Sequence, residues 1–203
     1  MSRIFGVLAI SLAFGAFLAW PVFAWPIRPG WIGAVVILLI AVAVRRHWHA
    51  RQLATGDDPG ARERQSWHAM AALAVICGHL IGSLSQGVDL HVGSGNTLAL
   101  DNWTLIGAAA IGWLIVRAPR MEKDERDREM SNRGAHVGLV MMTALLIILL
   151  LTLAFGPRAL VEWLQPFVLG NVLVVVILLA NIGRYAAQLI GYWEASRPED
   201  SDV

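Results

Sequence analysis

Long parts of this 203-residue chain have almost no charged residues. Most of the charge is confined to two blocks, with five arginines in residues 45–64 and six lysines and arginines in residues 117–133. Between and around these blocks lie six apolar runs of bilayer-spanning length. A helix needs about 20 mostly apolar residues to cross the hydrocarbon core. No soluble fold accounts for six such runs, so the sequence predicts a polytopic membrane protein.

The chain also lacks residues and motifs that common enzymes use. Its single cysteine, Cys77, excludes an intramolecular disulfide and a cysteine cluster built from one chain. The sequence contains no H-E-x-x-H motif, no P-loop and no G-x-S-x-G elbow. We therefore predict no catalytic residues, no metal site and no cofactor, and favour a non-enzymatic role. Nucleic acid is not an expected partner, because the basic residues alternate with acidic ones.

The expected fold is all-α, a single transmembrane domain over residues 1–203 formed by a bundle of six transmembrane helices. Hydrocarbon offers no partner for backbone N–H and C=O groups, so each span must be helical. The predicted spans are 4–24, 30–46, 67–87, 102–117, 135–155 and 166–190. Residues 47–66 and 118–134 are the predicted inner loops, and residues 88–101 are an outer loop.

The orientation follows from the distribution of lysine and arginine, which favours the cytoplasmic side. With the N-terminus inside, fourteen of the sixteen basic residues are cytoplasmic, and Arg28 and Arg158 are outside. We therefore predict an N-in/C-in protein of the bacterial inner membrane, with lipid around it. The segment Val22-Phe23-Ala24 could serve as a signal-peptidase site. We expect an uncleaved first helix, because another span follows at once.

The second inner segment has oppositely charged residues at helical spacing. Glu122 and Arg126, Asp124 and Arg128, and Glu129 and Arg133 are each four residues apart, with the acid first. This order stabilises a helix by about 0.2–0.5 kcal/mol per pair. We expect a helix that begins near Pro119 and continues into the fifth span. The charges can be explained as a solvated face, or as a surface that binds a cytoplasmic protein through Glu122, Asp124, Glu125, Arg126, Asp127 and Arg128.

One segment resembles a known family. The run from Asp124 to Glu129 directly precedes a span, and Arg184-Tyr185 and the residues 188–192 close the last span. This arrangement, over roughly residues 120–195, resembles small uncharacterised bacterial integral membrane proteins with a D-E-R-D-type motif before a transmembrane hairpin. The family pattern continues with a small basic-Ala motif, where this chain has Asn132-Arg133-Gly134-Ala135. The resemblance implies an inner-membrane protein that acts with a cytoplasmic regulator.

Polar residues inside spans are the other candidates for function, because each is costly unless it is satisfied or faces a cavity. His79, Ser83 and Gln86 share one helical face, and Gly78 and Gly82 beside it allow close approach of another helix. We consider two interpretations. His79 could be a neutral imidazole in a tight helix contact, or it could line a ligand cavity with Ser83, Gln86 and Asn171.

Three histidines are candidates for a haem-binding site. His68 and His136 begin the third and fifth spans at similar depth, and His79 lies further along the third. Interfacial histidines are common, so a packing role is the simpler interpretation.

Three functions therefore remain open. The leading one is an interaction or regulatory protein that contacts a cytoplasmic partner through residues 118–134. The second is a transporter of a small solute or lipid with a polar cavity around His79, and the third is a haem-binding redox subunit. Homo-oligomers could form under any of them, through the Gly78/Gly82 or the Gly134/Gly138 face.

Overall fold

The structure, a computed structural model, describes residues 1–20, 27–55, 61–86, 97–117 and 125–196. The described residues form helices and no strand, as the sequence predicts. The helices are α1 (Ser2–Leu18), α2 (Pro29–Thr55), α3 (Ala61–Ser85), α4 (Thr97–Val116), α5 (Glu125–Phe155), α6 (Arg158–Trp163) and α7 (Pro166–Ala195).

All helices except the short α6 run alternately between two ends of one bundle. Ser2 of α1, Trp48 of α2, Glu63 of α3, Asp127 of α5 and Trp193 of α7 meet at one end, which we call the basic end. At the opposite end, the far end, Gln86 after α3 reaches Ala19 after α1, and Arg28 reaches Asp101 of α4.

Helix α3 is the centre of the bundle. It packs against α1, α4 and α7, whereas α5 packs mainly against α7. Met70, Ala74, Val75 and Cys77 of α3 are buried in the core. The other two large contacts are between α2 and α4 and between α5 and α7.

Glycines set the closest of these contacts. Gly78 of α3 faces the backbone of α1 at Leu12, and a Cβ at Gly82 would lie 3.0 Å from Ala19 Cβ. Gly134 and Gly138 of α5 face Arg184 of α7 in the same way. Both predicted glycine faces are therefore covered within one chain. Association of two copies of the protein stays a prediction.

Five helices, α2, α3, α4, α5 and α7, are long and apolar enough to cross a membrane. Helix α1 has 17 residues and is apolar but shorter. The helices extend beyond the predicted spans into the predicted loops. Helix α2 continues to Thr55, α4 begins at Thr97 rather than 102, and α5 begins at Glu125. The start of the expected charged helix near Pro119 lies outside the described residues.

Candidate functional site

The charged start of α5 is attached to its neighbours by hydrogen bonds at the basic end. The Tyr192 hydroxyl of α7 donates to Asp127 Oδ1 at 2.6 Å. Arg62 of α3 donates to the backbone carbonyl of Asp127 at 3.2 Å, and Arg126 donates to that of Tyr192 at 3.3 Å. Because these bonds join three helices, the first turn of α5 has a fixed position on the bundle.

Two further polar contacts extend this network. Ser66 of α3 donates to Gln188 Oε1 of α7 at 2.8 Å, and both side chains are buried. Arg133 of α5 forms an exposed ion pair with Glu194 of α7 at 2.8 Å. The predicted helix-stabilising partner of Arg133 was Glu129, so the arginine is used between helices instead.

The side chains at the start of α5 divide into two faces. Asp127, Met130, Gly134 and Gly138 share the face toward α7, which a helix presents at intervals of three and four residues. Glu125, Arg128, Glu129 and Asn132 are exposed and share another face.

The residues predicted to bind a partner are therefore not equivalent. Glu125 and Arg128 are exposed on the outer face of α5. Arg126 and Asp127 take part in the contacts with α7 and α3. Glu122 and Asp124 lie outside the described residues.

A cleft of about 1440 Å³ opens at the basic end between α1 and α2, with α3 and α7 as its floor. Its deeper wall is apolar and includes Val7, Ile40 and Leu189. Its mouth carries charges of both signs, which come from Arg3, Arg51, Arg126, Glu63 and Asp127. Glu63 lies close enough to Arg51 and Arg126 to interact electrostatically. The cleft is larger than a typical pocket of about 300–1,000 Å³ for a small ligand.

His79 lies in a closed helix contact. Its side chain is fully buried, and Nδ1 lies 3.0 Å from Asn102 Oδ1 of α4. Ser83 is also buried and donates to the backbone carbonyl of His79. These contacts correspond to the packing interpretation of His79, in which its side chain joins α3 to α4 across a tight helix contact.

Gln86 and Asn171, which were predicted to lie around His79, form their hydrogen bonds in other parts of the bundle. Gln86 donates to the carbonyls of Ala19 and Gly82 at the far end. Asn171 donates to the carbonyl of Phe167 in its own helix, on the α5–α7 side. The cleft described above is therefore at the other end of the bundle from the predicted one.

The three haem candidates are far apart. His68 is buried in the contact between α3 and α4, where its Nε2 lies 3.4 Å from the Ala109 carbonyl. His79 is eleven residues further along α3, about 16 Å at the rise of a helix. His136 is exposed on α5. The similar depth of His68 and His136 does not bring them onto facing surfaces.

The sequence places Asp101 in the outer loop, and its pairing with Arg28 was not predicted. The carboxylate is buried beneath Gly30 of α2, and its Oδ1 accepts a bond from Arg28 at 3.0 Å. A signal was present, because Arg28 is one of only two basic residues on the predicted outer side.

Within the described residues, no group of three or more His, Cys, Asp or Glu side chains could hold a metal ion. We also compared the chain with protein-family models, curated proteins and solved structures. None of the three comparisons gives a match.

Proposed function

We propose that this protein is a non-enzymatic interaction or regulatory protein of the bacterial inner membrane, which binds a cytoplasmic protein through the charged segment 118–134. The carrying observation is the exposed charged face of α5 beside the Asp127–Tyr192 contact. A charged helix end that is already ordered loses little conformational entropy when it binds. The resemblance of residues 120–195 to small bacterial membrane proteins agrees with this role.

The proposal includes six spans with both termini in the cytoplasm. The segregation of basic residues supports this orientation, since arginines are concentrated at the basic end. Single cysteines introduced into a Cys77→Ala background test it in whole cells. A membrane-impermeant maleimide should label Glu162→Cys in intact cells and Arg128→Cys only after permeabilisation. Labelling of Arg128→Cys in intact cells would reverse the topology.

Photo-crosslinking tests the partner. A photoreactive amino acid in place of Arg128 should give one protein adduct in native membranes, and the same amino acid at Leu139 should give none. Leu139 is a matched control, because it is exposed on the same helix but in its apolar part. The double variant Glu125→Lys with Glu129→Lys should abolish the adduct, whereas Glu162→Lys should not. If the double variant gave the same adduct as the wild-type protein, binding through this face would be refuted.

A second candidate function is the handling of an apolar-tailed molecule with a polar head, supported by the cleft between α1 and α2. An apolar wall and a charged mouth match the two parts of such a molecule. This candidate keeps the transport alternative from the sequence but moves its binding site from the surroundings of His79 to the cleft.

Filling the cleft distinguishes the two functions. Ala43→Trp adds bulk on α2 inside the cleft, and Val35→Trp adds it on α2 outside the lining. If the cleft is the site, Ala43→Trp should reduce binding of a fluorescent long-chain fatty acid at least tenfold, and Val35→Trp should not. Equal binding by both variants would exclude the cleft, without affecting the partner surface on α5.

A further inference from the structure

A second, smaller groove lies at the basic end, away from the large cleft. It has a volume of about 490 Å³ and runs between the end of α2, the start of α3 and the end of α4. Helices α2 and α3 and the residue that follows α4 contribute basic side chains to it. These side chains are Arg45, Arg46, His49, Arg64 and Arg117. We call this feature the basic groove.

Within residues 27–55, 61–86 and 97–117, which form the groove, no acidic side chain balances its positive charge. Among the described residues that line it there is no carboxylate. In the described part of the chain, none of its four arginines forms an ion pair. Like charges held this close repel one another, and the repulsion is stronger near a low-dielectric surface than in water. An anion in the groove would remove that repulsion.

Arg64 is the second observation that favours an anionic ligand. Its Nε is buried and has no hydrogen-bond partner among the residues that the structure describes. A buried donor without a partner costs about 1–3 kcal/mol, and more when it is charged. A guanidinium presents its Nε–H and Nη–H groups as a fork that matches two oxygens of a phosphate.

Arg117 is held over the groove by its neighbour. Its guanidinium carbon lies 5.3 Å from the centre of the Trp113 ring, within the range of a cation–π contact. This contact limits the motion of the Arg117 side chain beside the groove.

The remaining wall of the groove is apolar. Val42 of α2 and Ile115 of α4 line it, and the surface continues along exposed apolar residues such as Leu39 and Leu114. A molecule in the groove would therefore meet a cluster of arginines at one end and an apolar surface at the other. A soluble phosphate would use the arginines alone.

We propose that the basic groove binds an anionic diacyl phospholipid of the surrounding membrane. Its phosphate lies between Arg64 and Arg117, with Arg45 and Arg46 at the edge, and an acyl chain follows Val42 and Ile115. Basic pockets between membrane helices on the cytoplasmic side are known to select such headgroups. This site is independent of the partner surface on α5 and of the large cleft.

The full-length protein, purified in detergent and stripped of lipid, provides the test. Dioleoylphosphatidylglycerol should raise its unfolding temperature and remain bound as one lipid per chain in native mass spectrometry. Dioleoylphosphatidylcholine should do neither. An equal shift with phosphatidylcholine would overturn the proposal, because the groove would then not select negative charge. An equal shift with glycerol phosphate or inorganic phosphate would identify a soluble anion as the ligand instead.

Variants of the groove localise the effect. Arg45→Gln with Arg46→Gln changes exposed side chains, so the protein should still fold, and its apparent affinity for phosphatidylglycerol should fall at least tenfold. Arg64→Lys keeps the charge but loses the fork, and it should weaken binding by a smaller factor. Arg128→Gln, an exposed arginine of α5 outside the groove, should bind as the wild type does. Unchanged binding by the double variant would overturn the proposal.

Discussion

Helices α3 and α5 make an instructive pair, because each follows a charged segment and each is apolar enough to cross a membrane. Their positions are opposite. In the most apolar part of α3, 72% of the residues are buried, and in that of α5 none is. The mean hydropathy of these parts is 1.5 for α3 and 2.8 for α5. The less apolar helix is therefore the central one.

This order is expected where lipid replaces water as the solvent. Lipid tails are as apolar as leucine, so burying a large aliphatic side chain between helices gives no hydrophobic gain. Close packing and interhelical hydrogen bonds decide which helix is central instead. Helix α3 provides both, with Gly78 and Gly82 against α1 and His79 bonded to Asn102 of α4. Helix α5 presents exposed leucines and isoleucines to the surroundings.

The largest effect should come from filling the contact between α3 and α1. A side chain at Gly78 would overlap the backbone of Leu12, which cannot move without shifting α1. We expect Gly78→Leu to lower the free energy of unfolding by about 3 kcal/mol. Titration with sodium dodecyl sulfate in mixed micelles measures this quantity.

The matched control is Gly107→Leu on α4, where a Cβ would meet nothing within 4 Å. Its free energy of unfolding should change by less than about 1 kcal/mol, because it adds a lipid-facing side chain. Equal losses in the two variants would mean that the α1–α3 contact does not hold the bundle together.

Truncating one leucine in each helix tests the comparison directly. Leu80 of α3 is buried, and Leu150 of α5 is 63% exposed. We expect Leu80→Ala to cost about 2–3 kcal/mol, because it leaves a cavity among side chains that relax only partly. Leu150→Ala should cost less than about 0.5 kcal/mol, since lipid fills the space. A large loss for Leu150→Ala would show that α5 has a partner within the membrane.

The sequence predicts the helices well and their contacts less well. Apolar length and basic flanks locate five membrane-length helices, because the solvent imposes both. The place of Asp101 in α4 was not predicted, because a helix start is not visible in hydropathy and α4 begins before its apolar part. The contact of Asp127 with Tyr192 joins residues 65 positions apart, so it depends on how α5 and α7 are aligned.

The two faces of α5 could have been predicted. Gly134 and Gly138 were recognised as a contact face, and the same face one and two turns earlier contains Met130 and Asp127. Extending the face in this way assigns Asp127 to the bundle and leaves Glu125 and Arg128 outside. The pairing of Arg126 with the Tyr192 carbonyl has no comparable signal, because a long arginine reaches either side.

The buried pair of Arg28 with Asp101 should contribute more to the free energy of unfolding than the exposed pair of Arg133 with Glu194. The buried and exposed leucines are expected to differ in the same way. Asp101 is buried and Arg28 is 41% exposed, whereas Arg133 and Glu194 are both exposed. We expect Arg28→Ala to lower the free energy of unfolding by about 2 kcal/mol, because it leaves a buried carboxylate without its cation. Glu194→Ala should cost less than about 0.5 kcal/mol. Both are measured by the same titration.

Asp101→Asn gives the internal check. It removes the buried charge and leaves Arg28 able to reach solvent, so its cost should be smaller than that of Arg28→Ala. The reverse order would show that the Arg28 side chain, rather than the Asp101 carboxylate, needs the pair.

A smaller, local effect should come from Tyr192→Phe, which weakens the contact between α5 and α7. The change removes the hydroxyl that donates to Asp127 and leaves the ring in place. A hydrogen bond of this kind contributes about 1 kcal/mol, which corresponds to a roughly fivefold change in a local opening equilibrium. Amide hydrogen exchange should therefore become about fivefold faster in the first turns of α5 and stay unchanged in α3. The control is Tyr185→Phe, whose ring lies beside the Arg184 guanidinium on the same helix. If exchange in α5 were unaffected by Tyr192→Phe, the remaining contacts of the charged helix end, among them the bonds of Arg62 and Arg126, would be enough to order it. The proposed partner surface would then not need this hydrogen bond.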